Sequence, residues 1–168
     1  MEIESNSLEV NDNNLNSELG SVLKKPGVKN FRLTDRDLDI FGFILEQKFA
    51  SLEQIYFRFF DCRKSISDPL PRGLFVTRQR LQILKRNGFL KSEKVFSESK
   101  SLYLVTNKAV QILRSRRSHL ADLKVISQID FRNYDHDTKV NDCRIAIERT
   151  GKVIRWLPER KIRAQGFE

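Results

Sequence analysis

The chain has 168 residues, with 31 Lys and Arg against 22 Asp and Glu, a net charge of +9, two cysteines and two histidines. At 39% hydrophobic and 32% charged, it can build one compact core, or one small domain plus part of a second. No apolar run approaches the ~20 residues of a membrane helix and no Lys/Arg-led signal peptide opens the chain, so neither secretion nor membrane spanning is expected, and a cytoplasmic protein is.

Charge divides the chain. Residues 1–23 hold five acids (Glu2, Glu4, Glu9, Asp12, Glu18), several asparagines and no Lys or Arg, so residues 24–168 carry 31 basic and 17 acidic side chains. The opening cannot bury enough surface to offset its ordering entropy, and residues 1–30 are expected to be a disordered acidic tail. A solvated leader explains it; competition with nucleic acid for a basic surface is the alternative. The first helix is expected from Thr34, where Thr34-Asp35-Arg36-Asp37 forms a variant capping box. Leu38, Phe41, Leu45 and Phe49, with Ile40 and Ile44 beside them, recur at helical spacing as its core face. Ser51-Leu52-Glu53-Gln54 is a second capping box, leading into Ile55, Tyr56, Phe59 and Phe60. Residues 61–73, with Pro69 and Pro71, read as a loop.

Residues 72–117 contain twelve Lys and Arg against Glu93 and Glu98 alone. A solvated face usually mixes both signs, so a stretch of nearly one sign favours a polyanionic partner. Within it, a third helix is predicted over 77–87, with Gly88 as a left-handed cap. Thr77, Leu81 and Leu84 share one face; Gln79, Gln82 and Arg86 lie opposite, Arg78 and Lys85 on one flank and Arg80 on the other. Gln pairs bidentately with adenine and Arg with guanine, while flanking cations neutralise phosphates, so such a helix suits a major groove. An ordinary solvated helix is the bland alternative. Strands are predicted over 89–95 and 100–105 around Phe96-Ser97-Glu98-Ser99, then a helix capped by Thr106 with Val110, Ile112 and Leu113 apolar. Helix, helix, basic helix, hairpin, helix is the order of a winged helix-turn-helix over residues 31–117. Its third helix would read bases through Gln79, Gln82 and Arg86. Arg78, Arg80, Lys85, Lys91, Lys94 and Lys100 would contact the backbone of double-stranded DNA. A winged helix used for protein contacts is the competing reading, since fold does not fix function.

Residues 118–168 read as a helix–strand extension, a truncated second domain or a dimerisation element. Leu120, Leu123 and Ile126 suggest a helix or a homodimer arm; His136, Val140, Cys143 and Ile147 form one stripe on a helix ended by Gly151. Val153-Ile154-Arg155-Trp156-Leu157, halted by Pro158, reads as a strand opening an α/β unit. Asp135, His136, Asp137 and Asp142 lack a recognised metal spacing; His136 is expected to be half-buried or capping, and Cys143 a small core residue. Cys62 and Cys143 lie far apart and fit reduced thiols better than a disulfide framework. No phosphate-cradling Gly-rich loop, zinc cluster or nucleophile motif occurs, so neither an enzyme nor a cofactor is expected.

Leu33-Thr34-Asp35-Arg36-Asp37, then 80–90 (Arg80 to Leu90) and Tyr103-Leu104-Val105-Thr106, resemble the bacterial replication-relaxation family. His136, Val140-Asn141-Asp142, Trp156 and Glu159 extend the resemblance over about residues 31–163. It implies a winged-helix DNA-binding protein of plasmids, phages or other mobile elements, acting beside a replication initiator or relaxase. A transcriptional repressor of the same fold, an interaction module and a remnant of a nuclease-like enzyme are the alternatives. The chain departs from the family pattern at Ala109, where glycine is common, and at Glu168, soon after the first expected strand of a nuclease-like unit whose acidic positions and lysine are missing. A fragment, or a product without such activity, is therefore expected.

Overall fold

The computed structural model describes residues 31–61, 73–97, 99–117, 120, 122–152 and 155–166. The acidic tail over 1–30, Cys62, nearly all of the 61–73 loop and the start of the expected 153–157 strand lie outside these residues. Residues Thr34–Glu168 form one compact unit.

Helix α1 (Asp35–Gln47) starts where the capping box puts it. The Thr34 amide donates to Asp37 Oδ2 at 2.7 Å, and the Asp37 amide donates back to Thr34 Oγ1 at 3.3 Å. Leu38, Ile40, Phe41, Phe43, Ile44 and Leu45 are all buried, so α1 is apolar nearly all round and forms the axis of the core. Lys48, at φ 76°, ends the helix two residues before Phe49, where the apolar spacing carries it, and Phe49 is buried in the connection instead. Strand β1 (Ala50–Ser51) follows, and Ser51 then caps helix α2 (Leu52–Phe59) through the expected box: its amide donates to Gln54 Oε1 at 2.9 Å.

Helix α3 (Gly73–Arg86) begins a turn before the predicted 77. A Cβ at Gly73 would lie 2.7 Å from the Tyr56 ring, so only glycine lets α3 start this close to α2. Thr77 is tolerated inside the helix because its hydroxyl donates to the Gly73 carbonyl at 2.7 Å. Gly88, at φ 73°, reverses the chain as expected. Strands β2 (Leu90–Glu93) and β3 (Leu102–Val105) form the predicted hairpin, in register Leu90↔Val105 to Glu93↔Leu102. β1 adds to the far side of β3, antiparallel, giving the order β1-β3-β2. The fold is thus α+β, helices around a small three-stranded antiparallel sheet. Thr106 precedes helix α4 (Asn107–Arg116), but its hydroxyl makes no cap bond; it donates to the Gly88 carbonyl at 2.7 Å and so ties the end of α3 to the hairpin.

Beyond α4 the structure corrects several expectations. Described residues of the segment around Leu120, Leu123 and Ile126 form no α-helix. Leu120 and Leu123 are buried within the unit, and Ile126 packs with Ile129 and Tyr134 on the Phe49–Leu102–Leu104 cluster. Their apolar surface is used internally. Helix α5 (Tyr134–Arg149) follows a single 3-10 turn, Phe131–Asn133. It buries Asp137, Asn141, Arg144 and Ile145 rather than the His136–Val140–Cys143–Ile147 stripe, of which His136, Cys143 and Ile147 are exposed. Gly151, at φ 68°, follows it. Arg155, Trp156 and Leu157 are not in a strand, and Pro158 leads directly into a short helix α6 (Glu159–Ala164). Among the described residues, no helix is long and apolar enough to cross a membrane.

Candidate nucleic-acid interface

Helix α3 carries Arg78, Arg80, Lys85 and Arg86 and no acid. Thr77, Leu81 and Leu84 are its buried residues, as the spacing predicts, and they fix which side chains face outward. At 100° per residue, Phe75, Val76, Gln79, Gln82, Ile83 and Arg86 fall within an arc of roughly 120° opposite that anchor. All six are exposed. Gln79, Gln82 and Arg86, the three predicted base readers, therefore share one solvent face. Their side chains and that of Arg78 make no hydrogen bond or ion pair among the described residues.

The predicted phosphate contacts divide by what already holds them. Arg80 is half-buried and turned inward, its Nε donating to Asp37 Oδ1 at 2.9 Å and its Nη2 to Asp37 Oδ2. Asp37 is 1% exposed and is also the residue that closes the α1 capping box. Burial alone would raise its carboxyl; the hydrogen bonds from Arg80 and Thr34 outweigh that and hold it below the usual carboxylate range. The same bond raises Arg80. This pair locks the orientation of α3 against α1, so Arg80 positions the helix.

Arg78 and Lys85 lie on the flank beside the sheet. Lys85 Nζ donates to Ser92 Oγ on β2 at 2.6 Å, a neutral partner that leaves its charge in place. The Arg78 charge acts on Tyr103 of β3, whose phenol burial raises and Arg78 partly lowers. On the hairpin, Lys94 meets, among the described residues, only the Ser97 carbonyl, at 3.3 Å. Lys91 is held by Glu93 at 2.6 Å and by the Ser127 carbonyl, and Lys100 by Glu53 at 3.2 Å. Arg78, Lys85, Arg86 and Lys94 thus retain the least neutralised charge of the predicted set.

Two features escaped the sequence reading. Lys108 donates to the Asn87 carbonyl at 2.9 Å and lies 4.5 Å over the Phe89 ring, adding a cation at the C-terminal end of α3. Phe75 and Val76 fall outside a helix begun at Thr77; with the start at Gly73 they join the exposed arc.

The C-terminal candidates form a different kind of cluster. Ligand atoms of His136, Asp137 and Glu159 lie within 4.8 Å of one another. Both Asp137 oxygens, however, accept from Lys48 Nζ, at 2.7 and 2.8 Å, so an ammonium already supplies positive charge there. Asp142 points elsewhere and accepts from Gln54 Nε2 at 2.8 Å. Asn141 Nδ2 donates to the Phe49 carbonyl at 2.8 Å, and Arg144 pairs with Glu46 and Glu148, both at 2.9 Å. Gln47 lies among Asn141, Arg144 and Trp156 Nε1. Arg160 donates to the Leu45 and Lys124 carbonyls. Arg160 thus meets the Leu45 carbonyl, one of the last α1 carbonyls that lack intrahelical partners, while Asn141, Arg144 and Asp137 hold the Phe49 carbonyl, Glu46 and Lys48 around the helix end. Compared with known proteins, the chain matches no family model, no curated protein and no solved structure.

Proposed function

We propose that the protein is a winged helix-turn-helix that binds double-stranded DNA, with α3 in the major groove and the β2–β3 hairpin as the wing. Gln79, Gln82 and Arg86 read base edges; Arg78, Lys85 and Lys94 meet phosphates, with Lys91 and Lys100 available where their acidic neighbours yield. Arg80 sets the angle of α3 through Asp37 and takes no phosphate. One observation carries the reading: on a helix without acids, Gln79, Gln82 and Arg86 face solvent together with no partner among the described residues. In biological terms, the resemblance to the replication-relaxation family favours an accessory or regulatory role at an origin of a plasmid or mobile element, beside an initiator or relaxase.

Fluorescence anisotropy with mixed-sequence duplexes across a salt series tests this. Binding should weaken steeply with salt, and each phosphate-contacting cation replaced by Ala should reduce the slope of log K against log salt by about 1. The Gln79/Gln82/Arg86→Ala triple variant should lose preference between duplexes and keep nonspecific binding. Arg86→Ala alone should cost ~1–3 kcal/mol of discrimination at one base pair. Identical behaviour of wild type and triple variant would remove α3 as the reader and favour a protein partner.

A further inference from the structure

The exposed arc of α3 is not uniformly polar. Phe75 is 63% exposed, Val76 49% and Ile83 38%, interleaved with Gln79, Gln82 and Arg86. Single exposed apolar residues are ordinary on any protein. Here three share one arc with three hydrogen-bonding side chains that have no partner among the described residues, on a helix whose flank carries Arg78 and Lys85.

An arc of amides and guanidinium alternating with apolar groups has a counterpart in the major groove. An A·T pair presents the N7 and N6 groups of adenine beside the C5-methyl of thymine, the one apolar group on a base edge there. Gln79 sits one turn after Phe75, so a helix that places its amide on adenine carries Phe75 to a neighbouring base edge. Phe75 and Val76 are also the third and fourth residues of α3, and the N-terminal residues of a reading helix approach the bases most closely. A protein partner would equally bury Phe75 and Val76, but the same arc and its flank bring only cations and no acid, a composition matched to DNA.

We infer that Phe75 and Val76 are specificity determinants that recognise thymine methyl groups, so that the preferred site contains A·T pairs under the N-terminal half of α3. The inference rests on the DNA-reading proposal above. It makes the site depend on a single methyl per thymine, which can be removed without changing base pairing.

The test starts with in vitro selection by the full chain from a random duplex pool, and uses an enriched duplex as the probe. Each thymine is replaced in turn by uracil, and wild type is compared with Phe75→Ala and Val76→Ala, with thermal melting to show that both variants fold. Replacing a contacted thymine should weaken wild-type binding about four-fold, the worth of one buried methyl. Phe75→Ala or Val76→Ala should bind the thymine duplex as wild type binds the uracil duplex, and should be indifferent to the replacement. An enriched duplex insensitive to every replacement overturns the inference and leaves base reading by Gln79, Gln82 and Arg86 standing. So does a sensitivity that both variants preserve, or a change in sedimentation of the variants with unchanged DNA discrimination. Failure of selection to enrich any sequence defeats the base-reading proposal itself, and this inference with it.

Discussion

Helices α3 and α5, 14 and 16 residues long, both carry apolar side chains at helical spacing, yet they meet the rest of the molecule in opposite ways. In α3, Leu81 and Leu84 are buried and the amides and cations face outward. In α5, Asp137, Asn141 and Arg144 are buried while Cys143 and Ile147 face water. What each helix lies against accounts for the difference. Both pack on α2, but α3 also lies on β2 and sends Leu81 and Leu84 into the core, whereas α5 reaches past α2 with Asp137, Asn141 and Arg144 to Lys48, the Phe49 carbonyl and Glu46 around the end of α1, which require polar partners. A buried face is chosen by the surface opposite, and apolar spacing reveals it only when that surface is apolar.

The sharpest way to break this comparison is to remove a polar group from the buried side of α5. Arg144→Ala removes the cation 2.9 Å from Glu46, whose side chain is 14% exposed, and leaves it only the more distant charge of Arg58 among the described residues. It should cost about 3–5 kcal/mol in urea unfolding. If instead the polar face of α5 is incidental, the loss will resemble that of a surface substitution. On α3 the matching change is apolar: Leu84→Ala removes a fully buried side chain and should cost about 2–5 kcal/mol. Near-equal losses from a charge on one helix and a hydrocarbon on the other would support opposite modes of anchoring.

Asp37 and Arg80 link α3 to α1, and a smaller effect is expected there. Asp37→Asn keeps the shape and removes the charge that Arg80 holds, at about 1.5–3 kcal/mol near neutral pH. Because the folded-state carboxyl is held below its ordinary value of 3.8, its contribution is complete above that pH and disappears as pH falls through the folded value. The stability gap between wild type and Asp37→Asn should therefore narrow in acid and stay constant from mildly acidic to neutral pH. A gap independent of pH down to unfolding would mean that the charge of Asp37 is not what holds Arg80.

Both capping boxes, the hairpin, the cap at Gly88 and the anchor of α3 were legible because each is a local rule: a hydroxyl three residues before a side-chain acceptor, alternation broken by a turn, a left-handed position, two leucines a turn apart. β1 was not legible, since two residues between helices become a strand only through the backbone of β3. Nor was the inward turn of Arg80, which depends on a carboxylate 43 positions earlier in the chain. Gln79, Gln82 and Arg86 were found because the outer face of a helix follows from its inner face. Phe75 and Val76 were lost to a boundary placed one turn late, where Gly73 counts against a helix locally but is required by the Tyr56 ring.

The smallest expected effects test the outer side of α5. Ile147 is 45% exposed, and Lys is at least as good a helix former as Ile, so Ile147→Lys should change stability by no more than about 0.5 kcal/mol. Were the His136–Cys143–Ile147 stripe a core face, the same change would bury an ammonium, and the protein would unfold or lose several kcal/mol. Thiol labelling gives an independent reading without touching stability. In a Cys62→Ser background, the exposed Cys143 should react with a disulfide reagent in the native protein at nearly the rate seen in urea. Protection until unfolding would place Cys143 inside and reverse the assignment of the two faces of α5. The lysine at 147 and the thiol at 143 lie one turn apart on the same face, so agreement between them fixes that face, and disagreement would mean that α5 is covered over only part of its length.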